Sequence, residues 1–288
     1  MDATLETVLL PTLGRLRSLY ASQPGGRQGH LRMVVVKPGW HVVIATDGQC
    51  GAAMSFAGFE QVPGAPLDPG RVRRWVGTPL LDLAEHTLRS ESAPERAVGV
   101  AALSAASQPF LAPAALAARG IEEADADFAQ SLRPDDCAVL VGFGGMVSRL
   151  RGRCRELHVT DMRPRQEFQA VVMAESVGYG PAWPHLHRPE ENPDILGRAD
   201  AVAITGSALV NGSFAELLAW SSRARLVSVY GASAGFIPDV LFERGVHLVQ
   251  SHRVSDPRRY EEGVLEEMGL EPVVAKTQTF VVLRRRNP

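Results

Sequence analysis

The order of apolar and polar positions changes character twice along the chain. Residues 4–20 place Leu5, Val8, Leu9, Leu13, Leu16 and Leu19 at helical spacing on one face. Pro11 lies inside that pattern and predicts a kink or two short helices, because it has no N–H to donate. After Gly25-Gly26 the period shortens. LRMVVV (31–36) and HVVIAT (41–46) flank Lys37-Pro38-Gly39 and read as a β-hairpin. Asp47-Gly48 is a second turn, with a third strand expected within 50–56. A Pro/Gly-rich stretch at 62–70 follows, then helical patterns at 79–89 and 94–107. Strands first and helices afterwards describe a small α+β unit.

The second change falls near residue 120. Residues 120–136 are acidic and polar, with no sustained strand pattern. A boundary there divides the chain into 1–120 and 121–288. From 137 short apolar runs alternate with helical patterns. CAVLVG (137–142), ELHVTD (156–161), AVAIT (201–205) and RLVSVY (225–230) are separated by helices expected at 145–152, 213–222 and 238–244. Buried strands alternating with helices predict a parallel sheet. The fold class is therefore α/β: a Rossmann-like domain preceded by a smaller α+β domain.

Composition narrows the function classes. The 288 residues carry 30 Lys+Arg against 32 Asp+Glu, a net charge of −2. That balance gives no reason to expect a nucleic-acid partner. Brief basic clusters, such as Arg284 to Arg286, read as solvated faces. Cys50, Cys137 and Cys154 form no CxxC and no disulfide framework. Asp2 and Glu6 precede any apolar run, so no secretory signal is read, and no apolar stretch is long enough to span a membrane. A cytoplasmic, reduced setting is expected. On oligomeric state the expectation is the commonest one, a homodimer.

Candidate chemistry sits in three strand-end loops. VGFGGMVSRL brings Gly142, Gly144 and Gly145 between a strand and a helix, where backbone amides meet a ligand. The full GxGxxG fingerprint fails at Val147. Asp161 ends the next strand, where a Rossmann-type domain sets an acid against ribose hydroxyls. AVAITGSALVNGSFAELL gathers Thr205, Gly206, Ser207, Asn211 and Gly212, and Ser213 with Glu216 reads as a capping box. YGASAGFIPDVLFERG adds Ser233 after a further strand. Three such loops converge on the carboxyl edge of one sheet. His185 and His187 form an HxH that suits a metal pair in an extended segment, but flanking prolines favour an irregular loop. His41, His86 and His158 read as structural, and His252 as a polar group at a strand end. No nucleophile elbow, Walker A loop, HExxH or paired carboxylates occur.

The segments VLVGFGG, ADAVAITGSALVNGSFAELL, VYGASAGFIPDVLFERGV and HRVSDPRRYEEGV resemble the DUF364 family of heavy-metal chelation proteins, over about 137–265. That family often carries a DUF4213 domain similar to the N-terminal domain of enolase, and the meander at 31–107 is compatible with one. The resemblance implies a ligand cleft between the two domains, lined by Gly142, Gly144, Thr205, Gly206, Asn211, Gly212 and Ser233. It implies a small-molecule or metal-chelate ligand, with a transition metal ion as the candidate cofactor. Two positions depart from the family. Asp161 stands where Glu is common, and Ser104 where an Asn is expected. Two other readings stand beside it: an enzyme using S-adenosylmethionine or a dinucleotide, and a binding module without catalysis.

Overall fold

The computed structural model describes residues 2–286 apart from positions 24, 38, 58, 63, 169, 174, 175, 181, 182 and 267–269. The N-terminal helical pattern resolves into two adjoining elements that meet just before Pro11. A π-helical turn, Leu5–Leu9, runs directly into α1 (Leu10–Ser22). The wide turn leaves Pro11 at the start of the regular helix, where its missing N–H is not needed. Val8, Leu9, Leu13, Leu16 and Tyr20 are buried along this helix.

Strands β1 (Leu31–Lys37), β2 (Trp40–Ala45) and β3 (Cys50–Met54) form the expected antiparallel meander. Its register pairs Val34 with Val43 and Val43 with Gly51. Helices α2 (Pro69–Trp75), α3 (Leu80–Leu88) and α4 (Ala93–Ser107) follow. Small residues along α4, including Ala97, Ala101, Ala102 and Ala105, let it bury almost its entire surface. The short α5 (Pro113–Ala117) leads out of this unit.

The remaining chain builds the large sheet. Its strands are β4 (Ile121–Glu123), β5 (Cys137–Val141), β6 (Glu156–Thr160), β9 (His185–His187), β10 (Ala201–Thr205), β11 (Leu226–Tyr230), β12 (Leu248–Val254) and β13 (Gln278–Arg285). A separate hairpin, β7 (Ala170–Met173) and β8 (Ser176–Tyr179), interrupts the series. Among the described residues the order is β4-β13-β12-β11-β10-β5-β6-β9. Pairing is parallel from β9 through β12 and antiparallel at β13 and β4.

From β5 the chain first winds outward to β6 and β9, then returns to the other side of β5 and proceeds through β10, β11 and β12. This is the doubly wound order, and it reverses between β5 and β10. Crevices at such reversal points, beyond the carboxyl ends of the strands, are where open α/β sheets hold ligands. The connecting helices are α6 (Met146–Leu150), α7 (Asn192–Gly197), α8 (Ser207–Asn211), α9 (Phe214–Trp220) and α10 (Asp239–Glu243). Two more, α11 (Pro257–Glu266) and α12 (Glu271–Thr277), precede β13.

One apolar core runs through both parts of the chain, from Val8, Leu16 and Val43 through Ala101 to Ile204, Phe236 and Leu283. A second cluster, including Phe128, Leu140, Val159 and Leu226, packs against the opposite face of the large sheet. The outer face of the meander is covered from the C-terminal part: Val42 and Ile44 pack with Tyr260, Val264 and Val273 of α11 and α12. The meander is thus clamped against the large sheet, and the two meet at its carboxyl edge.

Candidate functional site

A cavity of about 550 Å³ opens at the β5/β10 reversal point. Its large-sheet wall is made by strand-end loops carrying Gly142, Phe143, Gly144, Thr160, Asp161, Met162, Arg163, Thr205 and Ser207. Asn211, Ser213, Tyr230 and Ser233 complete that wall, with Asn192 at the start of α7. The meander closes the other side with Trp40 and Met54, and the loop after β3 adds Phe56 and Phe59. One hydrogen bond ties the walls together: the Met54 amide donates to Ser233 Oγ at 2.9 Å. Ser233 is 2% exposed, so its hydroxyl is fixed at the seam.

Glycine is required at the base of the first loop. Gly142 has φ +98°, and a Cβ there would lie 3.0 Å from Tyr230 Oη and 3.1 Å from Thr205. Tyr230 Oη reaches the Gly142 and Val141 carbonyls at 2.8 and 2.9 Å, and burial pushes its phenol pKa upward. It therefore acts as a neutral donor that locks β11 to the β5 loop.

Of the positions expected from sequence, Gly142, Gly144, Asp161, Thr205, Ser207, Asn211 and Ser233 line the cavity. Gly145, Gly206 and Gly212 are not among its lining residues. Gly212 instead faces the N-terminal helix. Its φ is +85°, its carbonyl accepts from Thr4 Oγ1 at 2.7 Å, and an added Cβ would meet the Asp2 carboxylate. The capping box is absent too. Ser213 Oγ turns to Asn211 Oδ1 at 2.8 Å and makes no cap bond. Thr4 Oγ1 accepts from the Ala215 amide in its place, at 3.0 Å. Sequence spacing could not show a cap contributed from the other end of the chain.

Asp161 reaches the cavity with its oxygens already engaged. Oδ2 accepts from the Phe143 amide at 2.7 Å, and Oδ1 from the Arg163 amide at 2.9 Å. The Arg163 guanidinium adds a two-pronged pair at 3.0 and 2.9 Å, and donates to the Phe143 carbonyl as well. The carboxylate thus braces the glycine loop and is balanced by Arg163, whose pKa is raised chiefly by that hydrogen bond. Ser104 is spent inside α4, donating to the Val100 carbonyl at 3.1 Å. Asn192 was missed from the sequence. It is buried on the cavity wall, and its Oδ1 has no hydrogen-bond partner among the described residues. Trp40, Phe56 and Phe59 were missed because aromatics in a meander read equally well as core.

The HxH segment is a strand, not the irregular loop expected. β9 pairs parallel with β6 and sets His185 opposite His158. The Arg165 guanidinium holds the Leu186 carbonyl at 2.7 Å. Alternation then places His185 and His187 on the face that carries Glu156 and His158, and Cys137 joins them from β5. The His158 ring stacks on His185 at 4.9 Å. Its Nδ1 lies 2.8 Å from His187 Nε2, and its Nε2 lies 3.4 Å from Glu156 Oε2. His187 Nδ1 in turn lies 2.8 Å from Glu191 Oε1. Burial lowers the His158 pKa, and burial raises that of the Cys137 thiol. His252 lies within β12 against Phe280 and does not line the cavity.

Fold and site together define a doubly wound α/β protein whose reversal-point cavity is closed by an α+β unit. The chain belongs to the DUF364 family. The family model, described as "Putative heavy-metal chelation", matches residues 125–281, and the DUF4213 model, described in the same words, matches residues 21–107. Two solved structures of DUF364 proteins with unknown function share the fold. One, from Desulfitobacterium hafniense DCB-2, is 18% identical with a TM-score of 0.68. The other, from Pyrococcus horikoshii, is 17% identical with a TM-score of 0.67. Each alignment covers 96% of this chain and 99% of the other. No curated protein sequence matches the chain.

Proposed function

We propose that this protein binds a small polar molecule of metal or metallophore metabolism, a metal chelate or the chelating molecule itself, in the cavity between meander and large sheet. The observation that carries this reading is the match between volume and donor set. About 550 Å³ suits an organic ligand rather than a bare ion. Hydroxyls and amides from Thr205, Ser207, Asn211, Asn192 and Ser233 face an aromatic and methionine wall. Among the described lining residues there is no histidine or cysteine. A bare transition metal prefers imidazole or thiolate, so these residues do not fit one. A chelate brings its own donors and asks the protein only for hydrogen bonds and apolar contact.

The alternative is an enzyme with a nucleotide-like cofactor. Its motive was Gly142 to Gly145 with Asp161. That reading is weakened by the engagement of Asp161, which leaves no uncommitted acid for a ribose among the described lining residues.

A thermal-shift panel separates the readings. Free divalent metals, metal-free polycarboxylate and polyamine chelators, the preformed complexes, and adenine nucleotides are each added to purified protein. A ligand at 100 times its Kd stabilises by about 2.7 kcal/mol. The expected result is a rise in Tm with chelators or complexes and none with nucleotides. A shift with nucleotides alone favours the enzyme reading and removes this one.

A further inference from the structure

The histidine cluster on β6 and β9 lies outside the cavity. None of Cys137, Glu156, His158, His185 or His187 lines it. Hydrogen-bond directions within the cluster follow from its ends. The Glu191 carboxylate only accepts, so His187 Nδ1 carries its hydrogen. A neutral His187 then offers Nε2 as an acceptor, and His158 Nδ1 donates to it at 2.8 Å. A neutral His158 is left with a bare lone pair on Nε2.

That lone pair faces Glu156 Oε2, a second acceptor, at 3.4 Å. The Cys137 Sγ, a Glu156 oxygen and a ring nitrogen of His158 all lie within 4.8 Å of one another. His158 and Cys137 are each about 5% exposed while Glu156 is exposed, so the position is walled by protein on one side and open to an entering ion on the other. The arrangement calls for a cation between the facing acceptors.

We propose that this position is a binding site for a borderline-soft divalent metal ion of the zinc class, with Cys137, Glu156 and His158 as ligands. The donor set, one sulfur, one nitrogen and one carboxylate, selects zinc-like ions over calcium or magnesium. Metal–ligand bonds of about 2.0–2.3 Å in a tetrahedron set donor atoms roughly 3.3–3.7 Å apart. The exposed Glu156 supplies the closing movement, and a fourth position stays open. His187 and Glu191 are positioning residues: their hydrogen-bond chain fixes the His158 tautomer and its ring orientation. On binding, the Cys137 thiol gives its proton to solvent and the thiolate sulfur donates to the ion, so affinity rises with pH.

Cobalt(II) is the probe. Full-length protein is stripped with a chelator and titrated with Co2+ while the visible and near-ultraviolet spectrum is recorded. The expected result is one Co2+ per chain, with tetrahedral d–d bands and a thiolate-to-cobalt charge-transfer band. Cys137→Ser abolishes the charge-transfer band, and Glu156→Gln weakens binding while leaving far-ultraviolet circular dichroism unchanged. Glu191→Gln weakens it roughly 10- to 100-fold. Glu156 and Glu191 are surface residues, so those two variants hold even if Cys137→Ser does not fold. Absence of a thiolate band, or equal binding by wild type and Glu156→Gln, overturns the proposal. So does a doubly protonated His158 seen by 15N NMR at neutral pH with no cobalt spectrum, since a proton then fills the position. Gly144→Trp, which adds bulk at the cavity wall, keeps the cobalt spectrum, so this site and the cavity stand or fall separately.

Discussion

At the residue scale the site depends on a few atoms with unusual circumstances. The Asn192 Oδ1 is buried without a partner among the described residues, an arrangement that costs about 1–3 kcal/mol. A ligand that donates to it recovers that cost. Asn192→Leu keeps the branched outline of the side chain and removes its polar atoms. The expected outcome is an unchanged or higher Tm with at least several-fold weaker ligand binding, read by denaturation and titration on the same sample. A fall in Tm with intact binding would assign Asn192 a purely structural role. Small polar residues at strand ends were readable in the sequence, because Thr205, Ser207, Asn211 and Ser233 stand at or soon after the ends of apolar strand runs, even though they also bond one another, Ser213 and the seam. Asn192 was not, since it sits in a polar stretch with nothing to mark it. The role of Asp161 was misleading for a different reason. Its position at the end of β6 was visible, but the Arg163 two residues on, which occupies it, depends on loop conformation.

At the scale of elements, the parallel strands β5, β6, β10 and β11 were legible because burial on both faces makes them continuous apolar runs. β9 was hidden by its three-residue length and its polar ends. β12 and β13 were hidden by mixed composition, with His252, Arg253 and Arg285 inside them. Capping went to a distant partner. Thr4, fully buried, bonds both the Gly212 carbonyl and the Ala215 amide, and so joins the first helix to α9. Thr4→Ala is expected to cost about 1–2 kcal/mol. Ser213→Ala is expected to cost less, because its hydroxyl bonds only Asn211. Urea denaturation of both variants checks the order, and the reverse order would restore the capping box inferred from spacing.

At the scale of the whole molecule, the core that runs from Val8 to Leu283 makes meander and sheet one packed body. Stability should then respond to pH through buried histidines. Burial lowers the pKa of His41 from 6.5, against a smaller raising effect from the Trp40 carbonyl, and lowers His252 likewise. Above about pH 6.5 neither folded nor unfolded chain is protonated at these rings, and their contribution is complete. As pH falls below that value the unfolded chain takes up protons first, and stability is lost toward the lower folded value. Carboxylates held low by partners, such as Glu85 beside Arg17 and Glu122 beside Arg284, act only below their ordinary 4.5. The urea midpoint is therefore expected to fall between pH 7.5 and 5.5, and His41→Leu to flatten that slope. An unchanged midpoint across the interval would place the titrating histidines in solvent.

The central claim is that the cavity at the β5/β10 reversal holds a chelate or its chelator. Gly144 lines it, and nothing lies within 4 Å of a Cβ added there. Gly144→Trp therefore adds bulk at the cavity wall without backbone strain. The direct measurement is calorimetric titration of the chelator or complex that gives the largest thermal shift, into wild type and Gly144→Trp side by side. One site per chain in the wild type, lost in a variant of equal Tm, is the predicted result. Equal binding by both proteins would put the ligand elsewhere and contradict the account.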